Sequence, residues 1–569
     1  MNNGIVSSIF TAGLLLVVIS PISGADPTPP NRTGVSFHTS DSNLQHIFDA
    51  AESKELQNIV QFTPDMKALV EGGGYTNVWI ETQPMGGEMY AKRNLEVALN
   101  NQLVFIRAQR ADGRLPGMIG GGNALNPTYD WLQGYCFPDP AWKMYFWTGK
   151  DRDYLLKLYS VLEAHDNYLW RTRNPNGDGL LETWCTWDTG EDHCTRYMSR
   201  FSPTRWPFDY PPVGDRLPDP HDPKNFQAYW MEYKVADPAA LPTRAQVLVP
   251  FASMDLMGYS HDGRTTLAKI AHELKNGRED FWLQQAAAVR KRLNEGLWNP
   301  QRHACFDRDR TGKVMDELIH NNLRGMYYGA FSQAMADEFV GYHLLNPGEF
   351  WTPLPLPSIA VHDPLYRNDS ENNWSGQPEG LTYQRAIRAL ENYGHYAEVV
   401  LLGRKLIAGI GPEARFTQQF DAIAAKPSSP GQDSYGPTIL ALLEYCSRMD
   451  GVYLDVEHNQ VWWSGLEDGG QEFTYTQRWG NREWTLSAEN GKFSGRLNGH
   501  EVFSCTRGVR VVTDLEGKVD QIVGIDPLPK PATLHAGAAV LKIVVNPNQT
   551  YGIDGTVHHS VPFDYPFHY

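Results

Sequence analysis

With 569 residues, 41% of them hydrophobic, the chain is long enough for one large domain and a smaller one. Its formal net charge is −16 and it has no basic run, which argues against nucleic acid or an anionic membrane as a partner. Seventeen Trp and 27 Tyr suit carbohydrate handling, although a core of this size absorbs many aromatic rings by itself.

Residues Ile9–Ile19 form a short apolar run, followed by the small residues Ser23-Gly24-Ala25 and a polar, Pro-rich stretch. This reads as a signal peptide over residues 1–24, and hence as a secreted or periplasmic protein. The run is short for a membrane span, but the first residues lack Lys and Arg, so an uncleaved anchor is the alternative. The six Cys contain no CxxC pair, which argues against zinc and against a disulfide scaffold. Cys185 and Cys194 read as two buried thiols, with a disulfide bracing the loop between them as the alternative. Sequons occur at Asn31, Asn368, Asn373 and Asn548.

From Asp41 to Arg448 the apolar spacing is mostly helical. The expected helices are Ser42–Leu56, Gly87–Arg110, Asp151–Trp170, Arg244–Tyr259, Thr265–Leu274, Phe281–Leu297, Tyr327–Leu345, Pro378–Tyr393, Tyr396–Ile407 and Gly436–Ser447. Long loops rich in Gly, Pro, Trp and Asp separate many of them, and such loops on a helical scaffold are usually functional. Helix pairs joined this way predict a mainly α fold, an (α/α)6 barrel over residues 25–449. After Asp450 the pattern changes to short alternating runs bounded by Asn-Gly and Glu-Gly turns. Residues 450–569 are therefore expected to form a small β-sandwich, with the aromatic tail Thr556–Tyr569 packing back on the body.

One loop concentrates chemistry. Asn174–Gly179 is turn-forming, and the segment to His193 then places Glu182, Asp188, Glu191 and Asp192 among Trp184 and Trp187. Trp faces stack on pyranose rings, and a carboxyl against an apolar ring can hold a proton at neutral pH. The plainer reading is a solvated acidic loop anchored by its tryptophans. Gly72-Gly73-Gly74 lacks the setting of a phosphate loop and reads as a flexible approach to a site. The histidines lack ligand spacing, so no metal is expected, and no cofactor motif is present.

Taken in order, several segments resemble the related glycoside hydrolase families 37 and 63, which include trehalases, α-glucosidases and mannosylglycerate hydrolases. Val78-Trp79-Ile80-Glu81-Thr82 resembles the element that opens the sugar site there. Asp112–Gly117 resembles their Gly-x-(Ile/Leu)-Pro turn. Trp187-Asp188-Thr189-Gly190 resembles the element that carries the general acid, with Thr and Gly where Ser and Arg are usual. Val249–Leu256, Leu297-Trp298-Asn299 and Asn373-Trp374-Ser375-Gly376 follow in the family order. The expected base Glu falls on Gln418 in Thr417-Gln418-Gln419-Phe420-Asp421, and Gln cannot act as a base.

The resemblance implies an exported, inverting glycosidase acting on α-linked glucosides or mannosides. Asp188 is then the expected acid, and Glu379 or Asp421 the expected base. Trp79, Glu81, Trp187, Trp374, Gln377 and Gln418 are the expected sugar contacts. An inverting site needs two carboxyls about 6.5–9.5 Å apart to admit a water. Two rival readings remain at this stage: a polysaccharide lyase on a similar toroid, and a non-catalytic carbohydrate-binding protein in which Gln418 marks a lost base.

Overall fold

The computed structural model describes residues 32–129, 131–191, 194–197, 216–219, 222–228, 251–309, 311–370, 374–428, 433–467 and 469–563. The expected signal peptide, Asn31, Asn373 and most of residues 244–253 before the Met254 helix lie outside them. The fold is mainly helical with a sheet-rich C-terminal region.

Among the described residues, twelve helices organise the first part. They are α1 Ser42–Gln57, α2 Gln83–Tyr90, α3 Leu95–Arg107, α4 Pro138–Trp147, α5 Arg152–Thr172, α6 Met254–Leu274, α7 Glu279–Leu297, α8 Asn321–Tyr327, α9 Gln333–Phe339, α10 Gly380–Glu391, α11 Tyr396–Ile410 and α12 Gly436–Met449. The even-numbered helices touch one another in chain order, and α12 closes back onto α2. Helices α1, α3, α5, α7 and α11 each pack against members of this cycle. The cycle helices are buried nearly all round. Every residue of α12 is buried, so its sequence shows no polar stripe. Close approach at their N-terminal ends needs a missing side chain: a Cβ on Gly380 would collide with Thr438 at the start of α12.

Local chemistry explains where the helix boundaries depart from expectation. The run Gly87–Arg110 is two helices, because Asn94 is extended and its side chain caps the Val97 N–H at the start of α3. The run Tyr327–Leu345 breaks at Gly329, which has φ +63°, before Ser332 caps α9. The two segments Arg244–Tyr259 and Thr265–Leu274 meet in the single helix α6, capped by Ser253. Helix α4 was not expected, since PDPAWKMYFW is almost wholly buried and has no helical period to read.

The C-terminal region holds two antiparallel sheets. One has seven strands: Thr33–Thr39, Phe473–Trp479, Arg482–Glu489, Lys492–Leu497, His500–Thr506, Lys530–Ala536 and Ala539–Val545. The other has six: Asp450–Asp455, Gln460–Gly465, Val509–Asp514, Val519–Val523, Gln549–Gly552 and Val557–Ser560. They meet where Trp463 packs edge-on to Phe503 at 5.6 Å and Gly465 faces Phe493. Thr33–Thr39 pairs along its length with Phe473–Trp479. The β region is thus not continuous in sequence, and the boundary at Asp450 leaves out its first strand. All six Cys are buried and free, so Cys185 and Cys194 are not joined. The sequon residue Asn548 is fully buried, so a glycan cannot be seated there in the folded chain. Among the described residues no helix is long and apolar enough to cross a membrane.

Asn548 instead helps tie the β region to the helices. Its side chain donates to Glu398 at 2.8 Å and accepts the Ala397 N–H at 2.8 Å. Glu398 also holds His395 Nδ1 at 2.9 Å, and Asp337 holds Nε2 at 3.0 Å. Burial opposes a charged imidazole, but these two carboxylates outweigh it and hold the His395 pKa up at about 9. This stabilisation is complete below about pH 6.5, the range of an unfolded His, and is lost as pH rises through 9. Unfolding free energy measured in urea should therefore fall by on the order of 3 kcal/mol across that window, and His395→Gln should remove the slope.

Candidate active site

The residues that precede the six cycle helices gather at one end of the cycle. Val78-Trp79 pairs with Met118-Ile119, which in turn pairs with the Asn126–Thr128 strand. This short sheet and the turn at Thr186–Thr189 set three indoles in a row: Trp79 stacks on Trp131 at 6.5 Å, and Trp131 meets Trp187 at 5.0 Å. Trp79 and Trp187 are half-buried, which leaves ring surface for a ligand. Glu81 lies beneath them. Its Oε1 accepts from Gln133 at 2.6 Å, and Arg385 of α10 approaches its Oε2 at 3.6 Å. Gly190, with φ +76°, lets the turn close onto this carboxylate, where any Cβ would clash.

Asp188 is buried just behind this rim, and its carboxylate is fully engaged. Oδ2 accepts from Arg173 at 2.6 Å and from the Trp184 N–H at 2.6 Å, while Oδ1 accepts from the Leu132 N–H at 2.9 Å. Burial works against the charge, but Arg173 outweighs it and holds the carboxyl below the usual carboxylate range. A general acid must carry a proton and reach the leaving oxygen. In this geometry Asp188 is paired with Arg173 and fixes the Trp187 turn against Leu132.

Glu191, two residues past this turn, is anchored in the same way. It accepts from Thr189 Oγ1 at 3.0 Å and Asn321 Nδ2 at 2.9 Å, with Arg196 at 3.6 Å and His320 at 3.5 Å. Burial opposes its charge, yet Arg196 keeps it ionised to well below the usual range. Asn321 bridges to Asp255, donating at 2.6 Å. Burial, with Glu191 and Asp307 nearby and Arg324 opposing, raises Asp255 to about 6. Arg324 donates to the Thr189 carbonyl at 2.5 Å and lies 5.5 Å over the Trp374 ring. His320, held neutral by burial with its pKa pushed down to about 4, packs 5.7 Å from the same indole. The turn at Trp187 and the Trp374 element are thus walls of one site.

The opposite wall carries Glu379. It is the N-cap position of α10 and is fully buried. Its backbone bridges to Gln419, and the Gly380 N–H donates to the Gln418 carbonyl at 2.8 Å. Gln418 Oε1 accepts from Tyr75 at 3.0 Å. Tyr435 adjoins both, with the Glu71, Glu379 and Glu81 carboxylates all in its field. Its hydroxyl donates to Glu71 at 2.9 Å. The Gly72-Gly73-Gly74 turn sits on this corner: Gly73 N–H donates to the Ser434 carbonyl, and Asn58 donates to the same carbonyl at 3.1 Å.

Two further candidates are engaged in loop contacts. Asp421 is half-exposed and caps its own turn, accepting from the Ile423 and Ala424 N–H groups at 2.9 and 2.8 Å and from Asn368 at 2.8 Å. Burial works against its charge, but those donors together hold it below its usual pKa. The Gln377 amide donates to Asn368 and accepts from Ser428, tying two loops. Sequence reasoning missed Trp131, Glu71 and Tyr435. Each had a weak signal: a Trp between turn residues, a Glu ahead of three glycines, and a Tyr ahead of the Gly-Pro that starts α12. Among the described residues no cluster of three His, Cys, Asp or Glu has metal-binding geometry.

Residues 80–427 match the mannosylglycerate hydrolase MGH1-like glycoside hydrolase domain. The chain belongs to this family. It is a glycosidase. No curated protein sequence matches it. Its fold is similar to that of the family 63 mannosylglycerate hydrolase of Thermus thermophilus in complex with glucose, with a TM-score of 0.55 at 15% identity. That match covers 70% of this chain and 99% of the Thermus protein. A structure named sialidase matches with a TM-score of 0.60 at 11% identity, over 85% of this glycosidase and 41% of that chain. The neutral trehalase of Saccharomyces cerevisiae matches with a TM-score of 0.48 at 12% identity, over 72% of this chain and 81% of that one.

Proposed function

We propose that this glycosidase is exported and cleaves α-glucosides or α-mannosides with inversion, on an (α/α)6 barrel followed by a β-sandwich. The closed cycle of six helices with partners packed on it supports that architecture. The observation that carries the chemistry is Glu379, wholly buried at the start of α10 between the Trp374 element and Gln418. A helix N-terminus favours the ionised carboxylate that a resting base requires. Glu379 therefore replaces the Glu that Gln418 cannot supply, taking a proton from the water that attacks the anomeric carbon. Trp79, Trp131 and Trp187 offer apolar faces to the sugar ring, and Glu81 accepts from its hydroxyls. The proton donor is then Asp192. Asp188 and Glu191 are both ionised and anchored, and Asp192 is the next carboxyl of that segment in sequence. Its position lies outside the described residues.

The Thermus relative is named for hydrolysis of mannosylglycerate, which puts that compound on the test panel beside trehalose, kojibiose and α-mannobioses. Hydrolysis of at least one of these, with the β-anomer as first product by NMR, is the expected result. Release of the attacked glycosyl unit as the α-anomer (from trehalose, two α-glucoses instead of one α and one β) would overturn inversion, and an unsaturated product absorbing in the ultraviolet would favour a lyase.

A further inference from the structure

The helix cycle has a second concavity, at the end away from the indole row. Residues of all six cycle helices, mostly from their C-terminal halves but with Asp139 and Pro140 from the first turn of α4, line a cavity of about 700 Å³ together with the Asp450–Asp455 and Gln460–Gly465 strands. That is the size range of small-molecule sites.

Its lining is charged yet nearly balanced. Six Lys or Arg side chains face seven Asp or Glu. Burial keeps His261 neutral, with its pKa down at about 4. The cations suit the negative ends of the helix dipoles, and each of the central ones has a fixed partner. Arg388 lies between Asp139 at 3.2 Å and Asp262 at 2.9 Å. Lys143 pairs with Asp139 at 3.2 Å and Lys269 with Glu457 at 2.8 Å. Paired ions of this kind select neither an anion nor a cation. They present donors and acceptors in alternation, which is the pattern of neighbouring sugar hydroxyls, and Trp147 and Trp462 add aromatic surface.

Five lining atoms make no hydrogen bond; Lys92 Nζ and Glu444 Oε1 pair with each other as ions and Arg388 Nη1 pairs with Asp139, which leaves two. The Tyr327 hydroxyl and the second carboxylate oxygen of Asp262 have no hydrogen-bond partner, and these residues are 1% and 3% exposed. Buried polar groups are normally satisfied, so an orphan donor and an orphan acceptor in the lining of one cavity call for an occupant that supplies both. We propose that this cavity is a second, non-catalytic binding site for a neutral saccharide of one or two rings. The occupant's hydroxyls bridge Tyr327 and Asp262, and its ring lies toward Trp462. From the proposed function this takes only that the protein meets saccharides.

The test uses the full chain carrying Glu379→Gln, so that turnover does not consume the probe. Glucose and trehalose are titrated calorimetrically and soaked into crystals. Two binding events are expected, with sugar density at both ends of the cycle. Tyr327→Phe, added to this background, should weaken the second event roughly fivefold, the worth of one hydrogen bond. Asp262→Asn should weaken it further. In an otherwise wild-type chain Tyr327→Phe should leave kcat and KM unchanged. A single event with ordered water alone in the cavity overturns the proposal. So does a second event that Tyr327→Phe leaves unaltered, or displacement of the sugar from the cavity by inorganic phosphate. Sugar in the cavity of a chain that hydrolyses nothing would instead sink the glycosidase reading and leave this one standing.

Discussion

Glu379→Gln should lower kcat by roughly 10²–10⁴-fold on an unactivated α-disaccharide, the usual contribution of a positioned base. The change is isosteric and lies at a helix N-terminus, where a neutral amide is tolerated, so the fold and sugar affinity should persist. KM should therefore move far less than kcat, the mark of a group that acts in the transition state. Glu379→Ala makes a sharper test. It opens a space on the side from which water attacks, and azide supplied there should restore turnover and give the glycosyl azide of inverted configuration. The nearest competitor is Glu71, whose Oε1 accepts from Tyr435 at 2.9 Å across the same corner. If Glu71→Gln destroys turnover and Glu379→Gln does not, the base is Glu71. If neither substitution reduces kcat, the corner formed by α10 and α12 is not the catalytic wall.

That corner also shows what a sequence can and cannot reveal. Glu379 stood out as a candidate because it follows the Trp374 element at a helix start, a local pattern. Its rival Asp421 was equally legible, and only the structure shows that Asp421 faces its own turn and Asn368. The fold divides the same way. Amphipathic helices such as α5 and α7 expose one face to water and so carry a period, and their observed limits lie within a few residues of those expected. Helix α4 is buried nearly all round, and its sequence has no polar side to mark it. The alternating runs after Asp450 were legible, and strands Lys492–Leu497 and His500–Thr506 are among them. The pairing of Thr33–Thr39 with Phe473–Trp479 was not, because nothing local encodes a partner so far along the chain. Asp188 is the costliest case. Its neighbour Trp187 supplied the signal of an apolar wall. The decisive partner is Arg173, which precedes the loop and is completely buried.

Asp188→Asn and Asp192→Asn should therefore fail in different ways. Asp188 and Arg173 form an ion pair with no exposure on either side, closed further by the Trp184 and Leu132 N–H groups. Removing the charge of one partner leaves the Arg173 guanidinium buried and uncompensated, at a cost of about 3–5 kcal/mol. The expected phenotype is a lower urea midpoint. The surviving folded enzyme should be impaired to the same degree on every substrate, because the Trp187 turn has lost its anchor. Stability of the wild type should also fall on acidification. The Asp188 carboxyl titrates lower in the folded chain than in the unfolded one, so its contribution is present above about pH 4 and is lost as pH drops through its folded value. Asp192→Asn is expected to act on the chemistry. Its kcat should fall by roughly 10²–10⁴-fold on disaccharides, whose leaving alcohol needs a proton. On an α-glycosyl fluoride, whose leaving group needs little help, the loss should be much smaller. The comparison is decisive in either direction. If Asp188→Asn is stable and loses activity on disaccharides alone, Asp188 carries the proton after all, and its bonds to Arg173 must open when substrate binds.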